Sequence, residues 1–139
     1  MANVRETVTI AAHPNEVWEI AGDPGRIADW VPAIATSAAD GDERSCTLVD
    51  GAELVERILG RSDAQRYYDY EIVDAPMPVR FYRSRLTVTE RDGIAHVDWT
   101  AEFEPQRAED EDRLVEAFSA TYRGGLDALR DQVEARGAA

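Results

Sequence analysis

The longest regular pattern in the chain lies towards its C-terminal end, over residues 109–136. Apolar side chains recur there at steps of three and four residues, which is the spacing of one face of an α-helix. These positions are Leu114, Phe118, Tyr122, Leu126, Leu129 and Val133. An acidic run at 109–112 lies where the positive end of the helix dipole would be. The pattern predicts an amphipathic helix of roughly 28 residues, about 42 Å long, which needs a broad apolar partner.

The rest of the chain alternates between apolar and polar residues in short segments, as half-buried strands do. Seven such segments are predicted, at residues 4–10, 34–39, 44–49, 54–59, 66–73, 80–90 and 96–103. Two short helices are predicted after the first strand, at 14–21 and 26–30. Pro14 suits the first turn of a helix, with His13 just before it, and Pro32 ends the second helix.

Short connections between consecutive strands favour antiparallel neighbours. Asp50-Gly51 predicts a hairpin with a two-residue turn between the third and fourth strands. There is no repeat, linker or low-complexity segment. The prediction is therefore one α+β domain over residues 1–139, in which a twisted seven-stranded antiparallel sheet wraps the C-terminal helix.

Composition narrows the range of partners. The 139 residues contain 28 acidic and 15 basic side chains, for a formal net charge of -13 at pH 7. A nucleic-acid partner is not expected, because phosphate contacts need clustered Lys and Arg, and an anionic membrane surface is disfavoured for the same reason. No apolar run approaches the ~18 residues of a membrane span and no signal-peptide-like region is present, so a cytoplasmic location without membrane insertion is expected.

Metal and nucleophilic chemistry have little support in the sequence. Cys46 is the only cysteine, so no intrachain disulfide or Cys-rich metal site can form, and a small buried side chain is expected. His13 and His96 are the only histidines, and neither has a second metal ligand at useful spacing. Phosphate-loop and nucleophile-elbow motifs are missing. We expect no metal and no cofactor, so any catalysis would use carboxylates, tyrosines and arginines.

Five stretches of the chain match one family pattern in the same order. They are 8–18 (a strand, small residues, Pro-Asn-Glu-Val-Trp), 27–32 (Ile-x-x-Trp-x-Pro), 56–59 (Glu-Arg-Ile-Leu), 77–84 (Met-Pro-Val with Tyr-x-Ser) and 99–105 (Trp-x-x-x-Phe-x-Pro). The chain thereby resembles the START-like, or polyketide cyclase/dehydrase-like (SRPBCC), superfamily over nearly its whole length. The resemblance implies a helix-grip fold, with a ligand cavity between a curved antiparallel sheet and the C-terminal helix.

The resemblance leaves function open, because the superfamily includes lipid carriers, plant allergens, hormone receptors, aromatic cyclases and co-chaperones. Its hormone receptors carry a glutamate near their ligand at the position that matches Glu56. The loop Pro76-Met77-Pro78 resembles the gate over the family's cavity mouth, although the same prolines would also suit a plain crossover.

Strand alternation and helical periodicity also favour a cavity, because together they place hydroxyl-bearing and aromatic side chains on the inner faces. These are Tyr68, Tyr70, Tyr82, Ser84, Trp99, Phe118 and Tyr122. Buried hydroxyls without partners cost about 1–3 kcal/mol each, so inward tyrosines imply water or a ligand among them. The alternative is a solid core whose tyrosines reach the rim. In a cavity, Trp30, Met77 and Pro78 would add apolar wall.

Glu56 is the most specific single candidate for a functional residue. It shares strand parity with Leu54 and Ile58, which turns its side chain inwards. Isolation in an apolar pocket would raise its pKa and make it a possible acid or base, whereas a nearby arginine would keep it charged and structural.

Two further acidic residues, Glu6 and Asp98, each have more than one possible arrangement. Glu6 is expected to pair with Arg123 or Arg130 on the helix. Asp98 would face the interior in place of Trp99 if a bulge shifted the register.

Gly124-Gly125 lies inside the predicted helix, where each glycine costs roughly 1 kcal/mol relative to alanine. Either a close approach to the sheet or the first helices, or room for a ligand beside Tyr122, would offset that cost.

Three functions follow from these observations. The preferred one is binding of a small hydrophobic or aromatic metabolite or lipid. The first alternative is a cyclase/dehydratase-type enzyme with Glu56 and Tyr82 as the proton-transfer pair, although no His or Lys lies on a predicted inner face to bind an enolate. The second alternative is a co-chaperone-like interaction domain, which an exposed apolar patch and a collapsed cavity would favour.

Overall fold

A computed structural model describes residues 1–138, in which a seven-stranded antiparallel sheet packs on the C-terminal helix. The strands are β1 (Ala2–Ile10), β2 (Ile34–Asp40), β3 (Glu43–Leu48), β4 (Glu53–Ser62), β5 (Tyr67–Asp74), β6 (Val79–Arg91) and β7 (Ile94–Pro105). The helices are α1 (Pro14–Ala21), α2 (Glu111–Ala138) and two 3-10 helices, Pro24–Asp29 and Ala108–Asp110. The predicted α+β helix-grip fold is confirmed.

The strand order is β1-β7-β6-β5-β4-β3-β2, so the first strand pairs with the last. Val4 lies opposite Ala101 and Val8 opposite Val97, which keeps the apolar side of β1 on the inner face. β4 carries two irregularities in its pairing with β5, between Val55 and Glu56 and between Ile58 and Gly60. Bulges of this kind bend a strand, which helps the sheet to curve around the helix.

The apolar face of α2 lies against the inner side of the sheet. Every position predicted for that face is buried: Leu114, Phe118, Tyr122, Leu126, Leu129 and Val133. The α-helix begins at Glu111, directly after a 3-10 turn. Asp110 in that turn is buried and accepts hydrogen bonds from Arg113 at 2.8 Å and Arg107 at 3.4 Å. None of the helices within residues 1–138 has the length and apolarity needed to cross a membrane.

The two helices after β1 occur where the prolines predicted them. His13 caps α1, because its ring Nδ1 accepts a hydrogen bond from the backbone N–H of Asn15 at 3.1 Å. The second predicted helix, 26–30, is a 3-10 helix that begins earlier, at Pro24. The Asp23 side chain accepts from the backbone N–H of Gly25 at 3.1 Å, which fixes that earlier start.

The predicted two-residue turn at Asp50-Gly51 is wrong, although the hairpin exists. The backbone N–H of Leu48 donates to the carbonyl of Ala52 at 2.8 Å, and that of Gly51 donates to the carbonyl of Leu48 at 2.9 Å. The loop therefore comprises residues 49–51, with Gly51 at φ +91°. A turn followed by one left-handed residue is a standard three-residue hairpin loop, and glycine adopts that conformation without strain.

Candidate functional site

A partly open cavity of about 110 Å³ lies between the inner face of the sheet and α2. Seven of the predicted site residues line it: Glu56, Tyr70, Met77, Tyr82, Trp99, Phe118 and Tyr122. Drug-sized ligands occupy pockets of roughly 300–1,000 Å³, whereas an apolar cavity of about 150 Å³ holds one benzene molecule. The cavity is therefore no larger than the space that a single ring occupies.

The helix reaches the sheet at Gly125, on one side of this cavity. A Cβ atom at Gly125 would lie 3.0 Å from Trp99, 3.2 Å from Val31 and 3.3 Å from Trp30, so glycine permits this close approach. A Cβ at Gly124 would meet nothing within 4 Å. Of the two explanations for the glycine pair, Gly125 supports the close approach. The space opens beyond it, beside Tyr122 and Phe118.

Glu56 forms a buried ion pair with Arg44 of β3. Arg44 Nε donates to Glu56 Oε1 at 2.9 Å, and Nη2 lies 2.8 Å from the same oxygen without a well-aligned hydrogen bond. Nη1 donates to the carbonyl of Pro24 at 3.2 Å and to the Tyr68 hydroxyl at 3.0 Å. The guanidinium also lies over the Tyr70 ring, 4.6 Å from its centroid.

Two opposing effects act on the Glu56 carboxyl. Burial raises its pKa, and the adjacent Arg44 guanidinium opposes that rise. Because arginine stays protonated in proteins, loss of the negative charge on Glu56 would leave the Arg44 charge buried and unpaired. The pair is therefore ionic at neutral pH, and of the two alternatives for Glu56 the charged, arginine-paired form is the one present.

Phenol hydroxyls form a connected network on the other side of the cavity. The Tyr82 and Tyr122 hydroxyls are in direct hydrogen-bond contact, and the Tyr70 hydroxyl lies 3.5 Å from that of Tyr82. Tyr122 also donates to Ser84 Oγ at 3.3 Å, and Trp99 Nε1 donates to both Ser84 Oγ and Tyr70 at 3.1 Å. The tyrosines thus point inwards and satisfy one another there.

Burial keeps these phenols protonated. It raises the pKa of Tyr70 to about 12, with the negative charge of Glu56 adding to the effect. Burial also raises the pKa values of Tyr82 and Tyr122 well above the ordinary tyrosine range. At neutral pH all three are therefore neutral hydrogen-bonding groups and not bases.

Four predicted site residues lie outside the cavity lining. Trp30 is buried against Trp99 with ring centroids 5.3 Å apart, and its Nε1 finds no hydrogen-bond partner among residues 1–138.

Tyr68 is buried behind the cavity against Arg44, and Ser84 donates to the Thr100 carbonyl at 2.8 Å. Pro78 is half-buried, and its carbonyl accepts from Gln106.

Seven lining residues were missed by the sequence prediction. They are Ile27, Ala33, Ile34, Leu48, Leu54, Ile72 and Thr121. Parity along the strands could have found two of them, because Leu54 shares a face with Glu56 and Ile72 with Tyr70. Ala33 lies in a connecting segment, and only the tertiary fold brings it to the cavity.

Glu6 pairs with Arg123, as one of the two alternatives predicted. Its Oε1 lies 3.2 Å from Arg123 Nε, and Ser119 donates to its Oε2 at 2.5 Å. The Ser119 hydrogen bond, with help from Arg123, lowers the pKa of Glu6. Arg130 instead lies 3.7 Å from the carboxylates of Asp127 and Asp131.

The register of β7 turns Trp99 inwards and Asp98 outwards. Trp99 is 2% exposed, whereas Asp98 lies 3.3 Å from Arg5 on the outer face. No register shift occurs between β1 and β7, so the alternative with Asp98 inside does not arise.

No group of three or more metal-binding side chains occurs within the part of the chain that the structure describes. Cys46 is buried, and burial raises the pKa of its thiol to about 11, so the reactive thiolate is scarce at neutral pH. His96 lies on the outer face, with its Nδ1 3.2 Å from the Thr9 hydroxyl.

The chain belongs to the START-like, polyketide cyclase/dehydrase-like superfamily. The family described as "Polyketide cyclase / dehydrase and lipid transport" matches residues 1–134. No curated protein sequence gives a significant match.

Solved structures agree with this assignment. The protein XoxI from Bacillus cereus is 31% identical, with a TM-score of 0.91 and 96% of each chain covered. The Zhui aromatase/cyclase from Streptomyces sp. R1128 is 20% identical, with a TM-score of 0.81 over 97% of this chain and 94% of that one. Norcoclaurine synthase from Thalictrum flavum is 17% identical, with a TM-score of 0.72 over 95% and 86%. The last two share the fold alone.

Proposed function

We propose that this protein binds a small hydrophobic or aromatic metabolite in the cavity between the sheet and α2. The observation that carries the proposal is the space of about 110 Å³, which is lined by aromatic rings and by Glu56. A mostly apolar enclosure with a few convergent polar groups is the usual form of a small-molecule site. The family description, which includes lipid transport, supports a binding role.

The test measures ligand binding at the cavity wall itself. Trp99 lines the cavity, whereas the Trp18 indole donates to Asp63 at 3.0 Å and lies outside the lining. Titration with toluene and other single-ring compounds should shift the Trp99 indole N–H signal in an NMR spectrum and leave the Trp18 signal in place. An unchanged Trp99 signal across such a series would overturn the proposal.

A matched pair of variants tests whether the ligand occupies this cavity. Ala33 is half-buried in the lining, whereas Ala35 is exposed on β2 two positions later. Ala33→Leu places three extra carbons into a space of about 110 Å³ and should weaken toluene binding by about tenfold or more. Ala35→Leu should leave it unchanged. Equal binding by both variants would place the ligand elsewhere.

A second candidate function is acid–base catalysis on the bound molecule, as in a cyclase or dehydratase. The observation that favours it is that Glu56 and Tyr82 line the same cavity. Glu56 would accept a proton, and Tyr82 would donate one after giving up its hydrogen bond with Tyr122. Tyr82→Phe separates the two candidates, because turnover of the bound molecule would fall at least about a hundredfold under catalysis, whereas ligand binding alone would persist.

The interaction-domain alternative has less support. Within the described residues, the exposed large apolar side chains fall in separate strands and turns: Met1, Val49, Leu59, Val73 and Ile94. Scattered single exposures of this kind are normal on a protein surface.

A further inference from the structure

We propose that the cavity selects a neutral, ring-sized molecule with a hydroxyl donor, such as a phenol or an aryl alcohol, and excludes carboxylates. This inference deepens the proposed function and rests on it. It depends on which polar atoms are left for a ligand once the protein's own hydrogen bonds are assigned.

One oxygen of the Glu56 carboxylate is left for a ligand. The contacts with Arg44, at 2.9 and 2.8 Å, and with the Cys46 thiol, at 4.0 Å, all fall on Oε1. Among residues 1–138, none donates a hydrogen bond to Oε2. Because Glu56 lines the cavity, Oε2 is a charged acceptor for a donor inside it.

Arg44 does not offer a positive charge to the cavity. Its side chain is fully buried and is not part of the lining. Its Nε and Nη1 donate to Glu56, Pro24 and Tyr68, while Nη2 lies 2.8 Å from Glu56 Oε1 without a well-aligned hydrogen bond. The Tyr70 ring covers the face of the guanidinium. A carboxylate ligand would therefore meet the negative Glu56 without a free cation, and burial of such an unpaired charge is strongly unfavourable.

The hydroxyl protons of Tyr82 and Tyr122 on the opposite wall are also committed to hydrogen bonds within the protein. Ser84 must donate to the Thr100 carbonyl, since a carbonyl only accepts. Its oxygen therefore accepts from Tyr122, which obliges Tyr82 to donate to Tyr122. Tyr82 and Tyr122 thus present oxygen lone pairs, and not protons, to further partners.

Charge balance favours a neutral donor over an amine. The Glu56 charge is already matched by Arg44, so a buried ammonium ion would add an unpaired net charge, whereas an O–H group adds none. The volume of about 110 Å³ limits the body of the ligand to one ring.

The experiment compares phenol, toluene and benzoate by titrating the Trp99 indole N–H signal at neutral pH. Phenol and toluene are matched in size. Toluene binding therefore measures the contribution of the apolar cavity, and the difference between phenol and toluene measures the hydrogen bond to Glu56 Oε2. Benzoate should bind at least about a hundredfold more weakly than phenol. Benzoate affinity equal to that of phenol would overturn the inference.

The double variant R44M/E56L removes both charges and keeps apolar volume in their place. The ratio of toluene Kd to phenol Kd should fall by about tenfold or more relative to the unmodified protein, because the hydrogen bond to a charged acceptor is lost. This ratio cancels the different hydration of the two free ligands. An unchanged ratio would overturn the inference.

The outcomes separate the two proposals. If toluene binds beside Trp99 but the ratio of toluene Kd to phenol Kd is the same in the double variant, the proposed function is supported and the inference is wrong. Failure of both toluene and phenol to bind would remove both proposals. If the double variant does not fold, the ranking of phenol against benzoate on the unmodified protein decides the inference.

Discussion

Arg44 is the side chain on which the interior polar arrangement depends most. It is fully buried and neutralises Glu56, while it also holds Tyr68 and the Pro24 carbonyl. A buried ion pair gains little over well-packed apolar side chains, because both charges lose their hydration. Removal of one partner, in contrast, is strongly destabilising, because the remaining charge is then buried without a counter-charge. The pair is accordingly more important for the character of the cavity than for net stability.

Arg44→Met should therefore lower the free energy of unfolding by about 3–5 kcal/mol. The control is Arg57→Met on the neighbouring strand, whose ion pair with Glu71 is 54% and 30% exposed and should matter by no more than about 1 kcal/mol. R44M/E56L should recover most of the loss. Urea unfolding followed by tryptophan fluorescence measures all three variants, and equal losses for Arg44→Met and Arg57→Met would contradict this account.

The helix α2 contains the clearest contrast at the scale of an element. Its two adjacent glycines carry the same propensity cost, but their surroundings differ. Gly124 has open space beside it, whereas Gly125 lies against the Trp99 and Trp30 rings and Val31. One glycine is thus required by packing, and the other is not.

Gly124→Ala should stabilise the protein by about 0.8–1 kcal/mol, because alanine loses less backbone entropy in a helix. Gly125→Ala should give no gain or a loss, since the new Cβ would lie 3.0 Å from a tryptophan ring held in the core. Thermal unfolding of the two variants in parallel measures the difference. A larger stabilisation by Gly125→Ala than by Gly124→Ala would contradict the packing argument.

At the scale of the whole molecule, an excess of negative charge opposes the compact state. The chain carries 28 acidic and 15 basic residues. Its exposed ion pairs, such as Arg26–Asp29 and Arg5–Asp98, are individually weak. Repulsion among the remaining carboxylates acts over longer distances and is sensitive to salt.

An increase from about 0.02 M to about 0.5 M NaCl should therefore raise the melting temperature at neutral pH, because screening weakens the repulsion more than the weak surface pairs. Calorimetry in a series of NaCl concentrations measures the effect. Sucrose at matched osmolarity serves as the control for solvent effects that do not depend on charge. A melting temperature that falls with NaCl would show that attractive pairs dominate.

Much of the fold follows from local patterns in the chain. Alternation identified all seven strands and turned Glu56, Tyr82 and Trp99 inwards, because each strand residue faces opposite to its neighbours. Helical periodicity likewise identified the buried face of α2. The turn at 49–51 was misjudged because Asp-Gly suits hairpin loops of more than one length, and backbone pairing selects among them.

The cavity itself could not be derived from those patterns. Ala33, Leu48 and Thr121 reach it from three parts of the chain, and its volume depends on how closely α2 approaches the sheet at Gly125. The partner of Glu56 was equally open in the sequence. Arg44 lies directly opposite Glu56 in the β3–β4 register, and that pairing decides the charge state.

Amino-acid order alone thus established which faces are apolar, since periods of two and 3.6 residues are properties of the local backbone. The size of the cavity, the single free oxygen on Glu56 and the direction of the phenol hydrogen bonds were decided by the packed tertiary structure. Each of these depends on distances between atoms of residues that are far apart in the sequence. The Arg44–Glu56 pair is shielded from water only when the sheet and the helix pack around it, and its electrostatic interactions become strong for that reason.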